Sequence, residues 1–193
     1  YGKRPLARLK DLGLLSPRLI AVHMTQLTEE EMDWCAEAGV HIVHCPESNM
    51  KLASGFSPIA ELIKRGVNVS IGTDGAASNN DLDMFAEMRQ AAMLAKGVAG
   101  DPSVVPAYQA LQMATINAAK SLGIDSVTGS LEIGKAADII AIDLSDIETQ
   151  PFYDLPSQLV YATGRDKVSD VWVAGKQLLK QRQLTTLNAQ HVS

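Results

Sequence analysis

Three apolar segments alternate with amphipathic helical patterns in the first half of the chain, and each leads into a polar residue. The segments cover residues 19–23, 40–44 and 67–71, and the polar residues are His23, His44 and Asp74. Strands that alternate with helices predict a parallel sheet whose carboxyl ends lie along one edge. At that edge (β/α) barrels carry their catalytic residues. The pattern therefore predicts one shared site that holds all three side chains.

Local signals place the helices between and after these strands. Thr28 followed by three glutamates predicts a capped helix, and Ser57-Pro58 predicts the start of another. The stretch from Cys45 to Gly55 has no clear period and predicts a long functional loop. The predicted helices cover residues 3–15, 29–38, 57–65, 81–96 and 105–122.

The pattern changes after Gly123 from helices to short strands. Residues 138–142, 168–173 and 177–184 read as strands, and the second alternates apolar and polar side chains. We therefore predict two domains, an α/β part over residues 1–127 and a small β-sheet part over residues 128–193.

Composition limits the class of partner. The chain has 193 residues, 46% of them hydrophobic, and a net charge of −5. No cluster of lysine and arginine is present, so a nucleic-acid partner is not expected, and a small molecule suits the charge better. Two cysteines without a CxxC pair indicate reduced thiols in a cytoplasm. No apolar run of 18 residues occurs, so no membrane span is expected.

The residue types at the strand ends suggest metal-assisted hydrolysis, but their spacing alone does not establish it. Asp74 could ligate a divalent ion and accept a proton from water, and His23 could polarise or deprotonate that water. No HxH or HxxxH pair is present, although a catalytic zinc usually takes three protein ligands. On the residues alone, a helix-capping or turn role before Gly75 is favoured for Asp74, and either histidine could be a buried structural residue.

Five ordered motifs resemble the amidohydrolase superfamily, and within it the deaminases of 5'-methylthioadenosine and S-adenosylhomocysteine. The resemblance runs from end to end and is most specific in the stretch of small residues from Gly75 to Asn80. The motifs are AVHMTQL at 21–27, VHCPESNMKL at 43–52, IGTDGAASNN at 71–80, ATINAAKSLG at 114–123 and GSLEIGKAADII at 129–140.

The resemblance implies a fold and a set of roles. The chain would supply strands six to eight of a metal-dependent-hydrolase TIM-like (β/α)8 barrel, followed by strands of a small β-sandwich. Asp74 would bind one zinc ion and shuttle a proton, and His23 would orient the attacking water. His44, Ser48, Asn49 and Ser78 would line the substrate pocket.

The resemblance also implies what this chain lacks. The family's remaining zinc histidines and its acidic proton donor would lie before Tyr1, in an N-terminal half of the same enzyme. We therefore expect the isolated 193-residue chain to be inactive and the complete enzyme to be a homo-oligomer. Two other functions stay open: an amidohydrolase of another ring, such as a triazine, guanine or cytosine, and a catalytically dead chain kept for binding or assembly.

Overall fold

The first part of the chain builds a three-stranded parallel sheet with its strands in chain order. The computed structural model describes residues 2–188. Strands β1 (Ile20–Val22), β2 (His41–His44) and β3 (Asn68–Ile71) pair so that Ile20 lies opposite His41, and His41 lies opposite Asn68. All three carboxyl ends therefore lie at the same edge of the sheet, as the alternating pattern predicted.

Helices connect the strands and begin where the capping residues indicate. Helix α1 (Pro5–Asp11) is shorter than predicted, and α2 (Glu29–Glu37) has the predicted capping box at Thr28. Helix α4 (Ile59–Lys64) begins one residue after Pro58 without a side-chain cap. The predicted cap at Ser57 is wrong, because its hydroxyl donates instead to the carbonyl of Met24 at 3.3 Å.

Three further segments differ from the sequence prediction. The predicted long loop after β2 contains helix α3 (Pro46–Lys51), and the small-residue stretch after β3 contains α5 (Ala76–Asn79). The predicted helix 105–122 is two helices, α7 (Ala107–Ala114) and α8 (Ile116–Ser121), because Thr115 leaves helical geometry with φ −127° and ψ −97°. Between α5 and α7 in the chain lies α6 (Met84–Ala99), which is capped by Asp83.

One hydrophobic core holds the sheet against the helices. Ile42 of β2, Leu62 of α4 and Met113 of α7 are fully buried in it. Val160, from a π-helical turn at Gln158–Ala162, is buried in the same core. A segment after residue 128 therefore packs against the first part of the chain. The predicted boundary between residues 127 and 128 stays a prediction.

The second part contains a four-stranded antiparallel sheet. Its strands are β4 (Ile139–Ile142), β5 (Val168–Val173), β6 (Lys176–Lys180) and β7 (Gln183–Leu184), in that order, and a short helix α9 (Leu155–Ser157) precedes β5. The predicted strand 177–184 is divided, because Gln181 and Arg182 have φ values of 46° and 66° and make a turn. A sandwich formed with a second sheet stays a prediction.

The parallel sheet is open at β1, as expected for three strands of a larger barrel. Within residues 2–188, only β2 pairs with β1, and Ile20 and Val22 are 38% and 45% exposed. An unpaired, partly apolar edge is a surface that another strand would cover. The numbering of these strands as the sixth to eighth of a barrel stays a prediction. In the described part of the chain, no helix combines the length and apolar character needed to cross a membrane.

Candidate active site

The strand ends bring His23, His44 and Asp74 to one place, as the sequence predicted. His23 follows β1 directly, and its backbone N–H donates to the carbonyl of Val43 at 3.0 Å. His44 is the last residue of β2, and Asp74 comes three residues after β3. His23 and Asp74 both have left-handed backbones, with φ values of 70° and 62°. Such backbones are uncommon away from glycine and cluster at functional sites.

Gly72 lets the chain leave β3 close to β2. A Cβ at this position would lie 2.9 Å from Cγ1 of Val43, so a larger residue would push the two strand ends apart. The N–H of Gly72 donates to the carbonyl of His44 at 3.0 Å and extends the strand pairing toward Asp74. The small residue therefore positions the Asp74 loop beside the end of β2.

Two hydroxyl groups hold the Asp74 carboxylate. Ser48 of α3 and Ser78 of α5 both donate to Oδ2 of Asp74, each at 2.7 Å. Hydrogen bonds from Ser78, Ser48 and the backbone of Gly75 lower the pKa of Asp74 to about 2. Asp74 is therefore an anion at neutral pH. The hydroxyls of Ser48 and Ser78 contact Asp74, and their predicted contact with substrate stays a prediction.

His23 lies between Asn49 and Asp74. Its Nδ1 is 2.8 Å from Oδ1 of Asn49, and its Nε2 is 3.9 Å from Oδ2 of Asp74. Because the amide oxygen can only accept, Nδ1 donates to it, and the neutral tautomer with this contact carries its lone pair on Nε2. The side chains of His23 and Asp74 are 39% and 34% exposed, so a ligand can reach both.

His44 is buried beneath this pair. Its side chain is 1% exposed, and burial, together with the nearby His23, lowers its pKa to about 4. His44 is therefore a neutral imidazole at physiological pH. Within residues 2–188, Nδ1 of His44 and Nδ2 of Asn49 have no hydrogen-bond partner. Such buried atoms usually find one, so both are available to a group that completes the site.

The donors at this edge fit part of a zinc site. An ionised carboxylate and an imidazole nitrogen 3.9 Å from it are both ligand types that zinc takes. In the part of the chain that the structure describes, no group of three or more histidine, cysteine, aspartate or glutamate side chains could hold a metal.

The nearby thiol of Cys45 is poorly suited to act as a nucleophile. Cys45 begins the segment after β2, and burial raises the pKa of its thiol to about 12. A thiol with this pKa is protonated at neutral pH, and the thiolate is the reactive form.

A buried polar cluster behind the site was missed by sequence reasoning. Glu87 of α6 is fully buried and accepts hydrogen bonds from α3 and α5. The sequence signal for it was available, because Glu87 precedes Ala91 by one helical turn on the apolar face of α6. A carboxylate on a buried face requires polar partners.

Comparisons with known proteins find similar sequences and structures. A model of the amidohydrolase family matches residues 1–178. A 5-methylthioadenosine/S-adenosylhomocysteine deaminase from Teredinibacter turnerae is 54% identical over 193 residues, which are 100% of this chain and 44% of that protein. The chain thus spans less than half the length of this relative.

Solved structures share the fold. A crystal structure of an adenosine deaminase from Xanthomonas campestris with bound zinc matches with a TM-score of 0.98 and 57% identity, covering 100% of this chain and 44% of the other. An atrazine chlorohydrolase from Arthrobacter aurescens complexed with zinc matches with a TM-score of 0.92 and 30% identity, covering 100% and 43%.

Proposed function

Because this chain belongs to the amidohydrolase family, as its motifs predicted, we propose that it is the C-terminal part of a zinc-dependent deaminase. The substrate is an adenosine-type nucleoside, with 5'-methylthioadenosine and S-adenosylhomocysteine as the first candidates. Both candidates come from the Teredinibacter turnerae relative, which carries these names at 54% identity. The observation that carries the proposal is the His23 and Asp74 pair, held 3.9 Å apart at the open edge of the sheet.

Each residue has a role in hydrolytic deamination. His23 holds the attacking water through the lone pair on Nε2, while Asn49 fixes the ring through Nδ1. The water oxygen bonds to the ring carbon that carries the amino group, and Asp74 takes a proton from the water and passes it to that amino group. The C–N bond then breaks, and the amino group leaves as ammonia. Ser48 and Ser78 keep the Asp74 carboxylate in one orientation during both transfers.

The metal requirement divides between this chain and the rest of the enzyme. Asp74 would hold one zinc ion, which when bound supplies a Lewis acid that lowers the pKa of water. The remaining ligands and the N-terminal barrel strands would come from the part of the enzyme outside this chain. The isolated chain would therefore lack activity.

Identity favours this substrate class over a triazine. The atrazine chlorohydrolase is 30% identical to this chain, whereas the two deaminases are 54% and 57% identical. A function in binding or assembly alone would give the Asp74 carboxylate and its two hydroxyl donors no chemical role.

A deamination assay on the complete enzyme tests the proposal. Ammonia release is measured with 5'-methylthioadenosine, S-adenosylhomocysteine, guanine and cytosine, and chloride release is measured with atrazine, for wild type and for His23→Gln. We expect release from the two nucleosides only, and a loss of 10²- to 10⁴-fold in kcat for the variant, the usual contribution of general acid-base catalysis. Turnover of the triazine or of a free base in preference to both nucleosides would refute the substrate class.

A further inference from the structure

The two short helices that carry the hydroxyl partners of Asp74 need an external anchor. Helix α3 has six residues and α5 has four, and helices this short are not stable without tertiary contacts. Ser48 and Ser78 nevertheless meet one carboxylate oxygen of Asp74 at 2.7 Å each. Something must therefore fix the two helices relative to each other.

Asn79, the last residue of α5, makes this connection. Its side-chain nitrogen donates to Oε1 of Glu87 at 2.6 Å and to Oε2 of Glu47 at 2.7 Å. Its amide oxygen accepts from the N–H of Leu82 at 2.6 Å. One 7%-exposed amide thus joins α5 to α3, to α6 and to the following turn.

Glu87 provides the fixed end of the connection. It lies on α6, a helix of 16 residues that packs in the core, and its side chain is fully buried. Besides the bond from Asn79, its Oε2 accepts the backbone N–H of Glu47 at 3.4 Å. Both short helices are therefore hydrogen-bonded to the same buried carboxylate, α5 through the side chain of Asn79 and α3 through the backbone of Glu47.

We infer that Asn79 and Glu87 are positioning residues, which set α3 against α5 so that Ser48 and Ser78 together orient Asp74. This inference rests on the proposed function, because it assigns a purpose to the orientation of Asp74. It goes further by adding two residues that act through the helices carrying Ser48 and Ser78. Loss of the amide of Asn79 should separate the two hydroxyls from the carboxylate.

The test compares zinc affinity and kcat in the complete enzyme. Partners behind a metal ligand typically contribute 10- to 100-fold to affinity or activity, and we expect a loss of this size for Asn79→Ala. Glu87→Gln keeps the shape of the side chain and can retain one of its two hydrogen bonds. Its loss of zinc affinity and kcat should therefore be smaller than that of Asn79→Ala. Gln90→Ala is the matched control, since Gln90 contacts Glu47 but makes no bond to α5. The zinc affinity and kcat of this control should stay within about threefold of wild type.

Repeating the Asn79→Ala substitution in a variant without the two hydroxyls separates a positioning role from a general effect on stability. In a Ser48→Ala, Ser78→Ala double variant, the hydroxyls through which Asn79 acts are absent, so adding Asn79→Ala should change zinc affinity by less than about threefold. The same fold-loss in both backgrounds, or an Asn79→Ala variant with wild-type zinc affinity, would overturn the inference. If wild type binds zinc but releases no ammonia from any nucleoside, the deaminase proposal fails, and the zinc affinities still decide the role of Asn79.

Discussion

The buried carboxylate of Glu87 should make the protein less stable as pH rises through neutrality. Burial, followed by the nearby charges of Glu47 and Asp81, raises the pKa of Glu87 from its ordinary 4.5 to about 7. Between these two values the folded protein keeps a proton that the unfolded chain has lost. The contribution of Glu87 to stability is therefore largest below pH 4.5 and declines until the pH passes about 7. The difference in pKa corresponds to about 3 kcal/mol in the free energy of unfolding.

His44 contributes with the opposite sign and must be separated. Its pKa is lowered from 6.5 to about 4, so the unfolded chain binds the extra proton between those values. This contribution makes stability rise with pH up to about 6.5. Because the two effects nearly offset each other in wild type, its stability curve alone does not reveal Glu87.

The variant Glu87→Gln isolates the carboxylate. Urea unfolding of wild type and Glu87→Gln is followed from pH 4.5 to pH 8, and the difference between the two free energies is plotted against pH. Between pH 4.5 and pH 7, the free energy of unfolding of wild type should fall by about 3 kcal/mol relative to that of Glu87→Gln, because only wild type has the titrating group. A flat difference across this range would refute the raised pKa of Glu87.

Three other variants test separate parts of the structure. Replacing both Ser48 and Ser78 with alanine should raise the pKa of Asp74 toward its ordinary 3.8. It should also weaken zinc binding by about 10- to 100-fold in a chelator competition. Unchanged zinc affinity would show that the hydroxyls do not hold the carboxylate. Leu62→Ala, in the centre of the core, should lower the free energy of unfolding by about 2–5 kcal/mol in urea, and a loss below 1 kcal/mol would contradict its burial. Thr28→Ala should cost about 1 kcal/mol in the same assay because it removes the cap of α2, while an unchanged midpoint would argue against the capping box.

The strand ends were predictable because their signals are local. Apolar segments between helical patterns placed β1, β2 and β3, and their parallel order brought His23 and Asp74 to one edge. The capping box at Thr28 was equally readable, because it depends on residues three positions apart.

The details that tertiary contacts determine could not be read in this way. Helix α3 lies in a stretch of proline, serine and asparagine that resembles a loop, and it is held by the contacts of Glu47 with Asn79 and α6. The break at Thr115 and the burial of Val160 in the first core likewise depend on packing between segments distant in the sequence.

The central claim is that the edge carrying His23 and Asp74 is part of a zinc-dependent deaminase site. Its most direct test is to measure bound zinc and ammonia release from 5'-methylthioadenosine in the same preparations of the complete enzyme. The comparison uses wild type, Asp74→Asn and the control Asp166→Asn, an exposed aspartate beside the antiparallel sheet. We predict about one zinc per chain and rapid ammonia release for wild type and the control, and loss of both for Asp74→Asn. Full turnover in Asp74→Asn would contradict the assignment of the site.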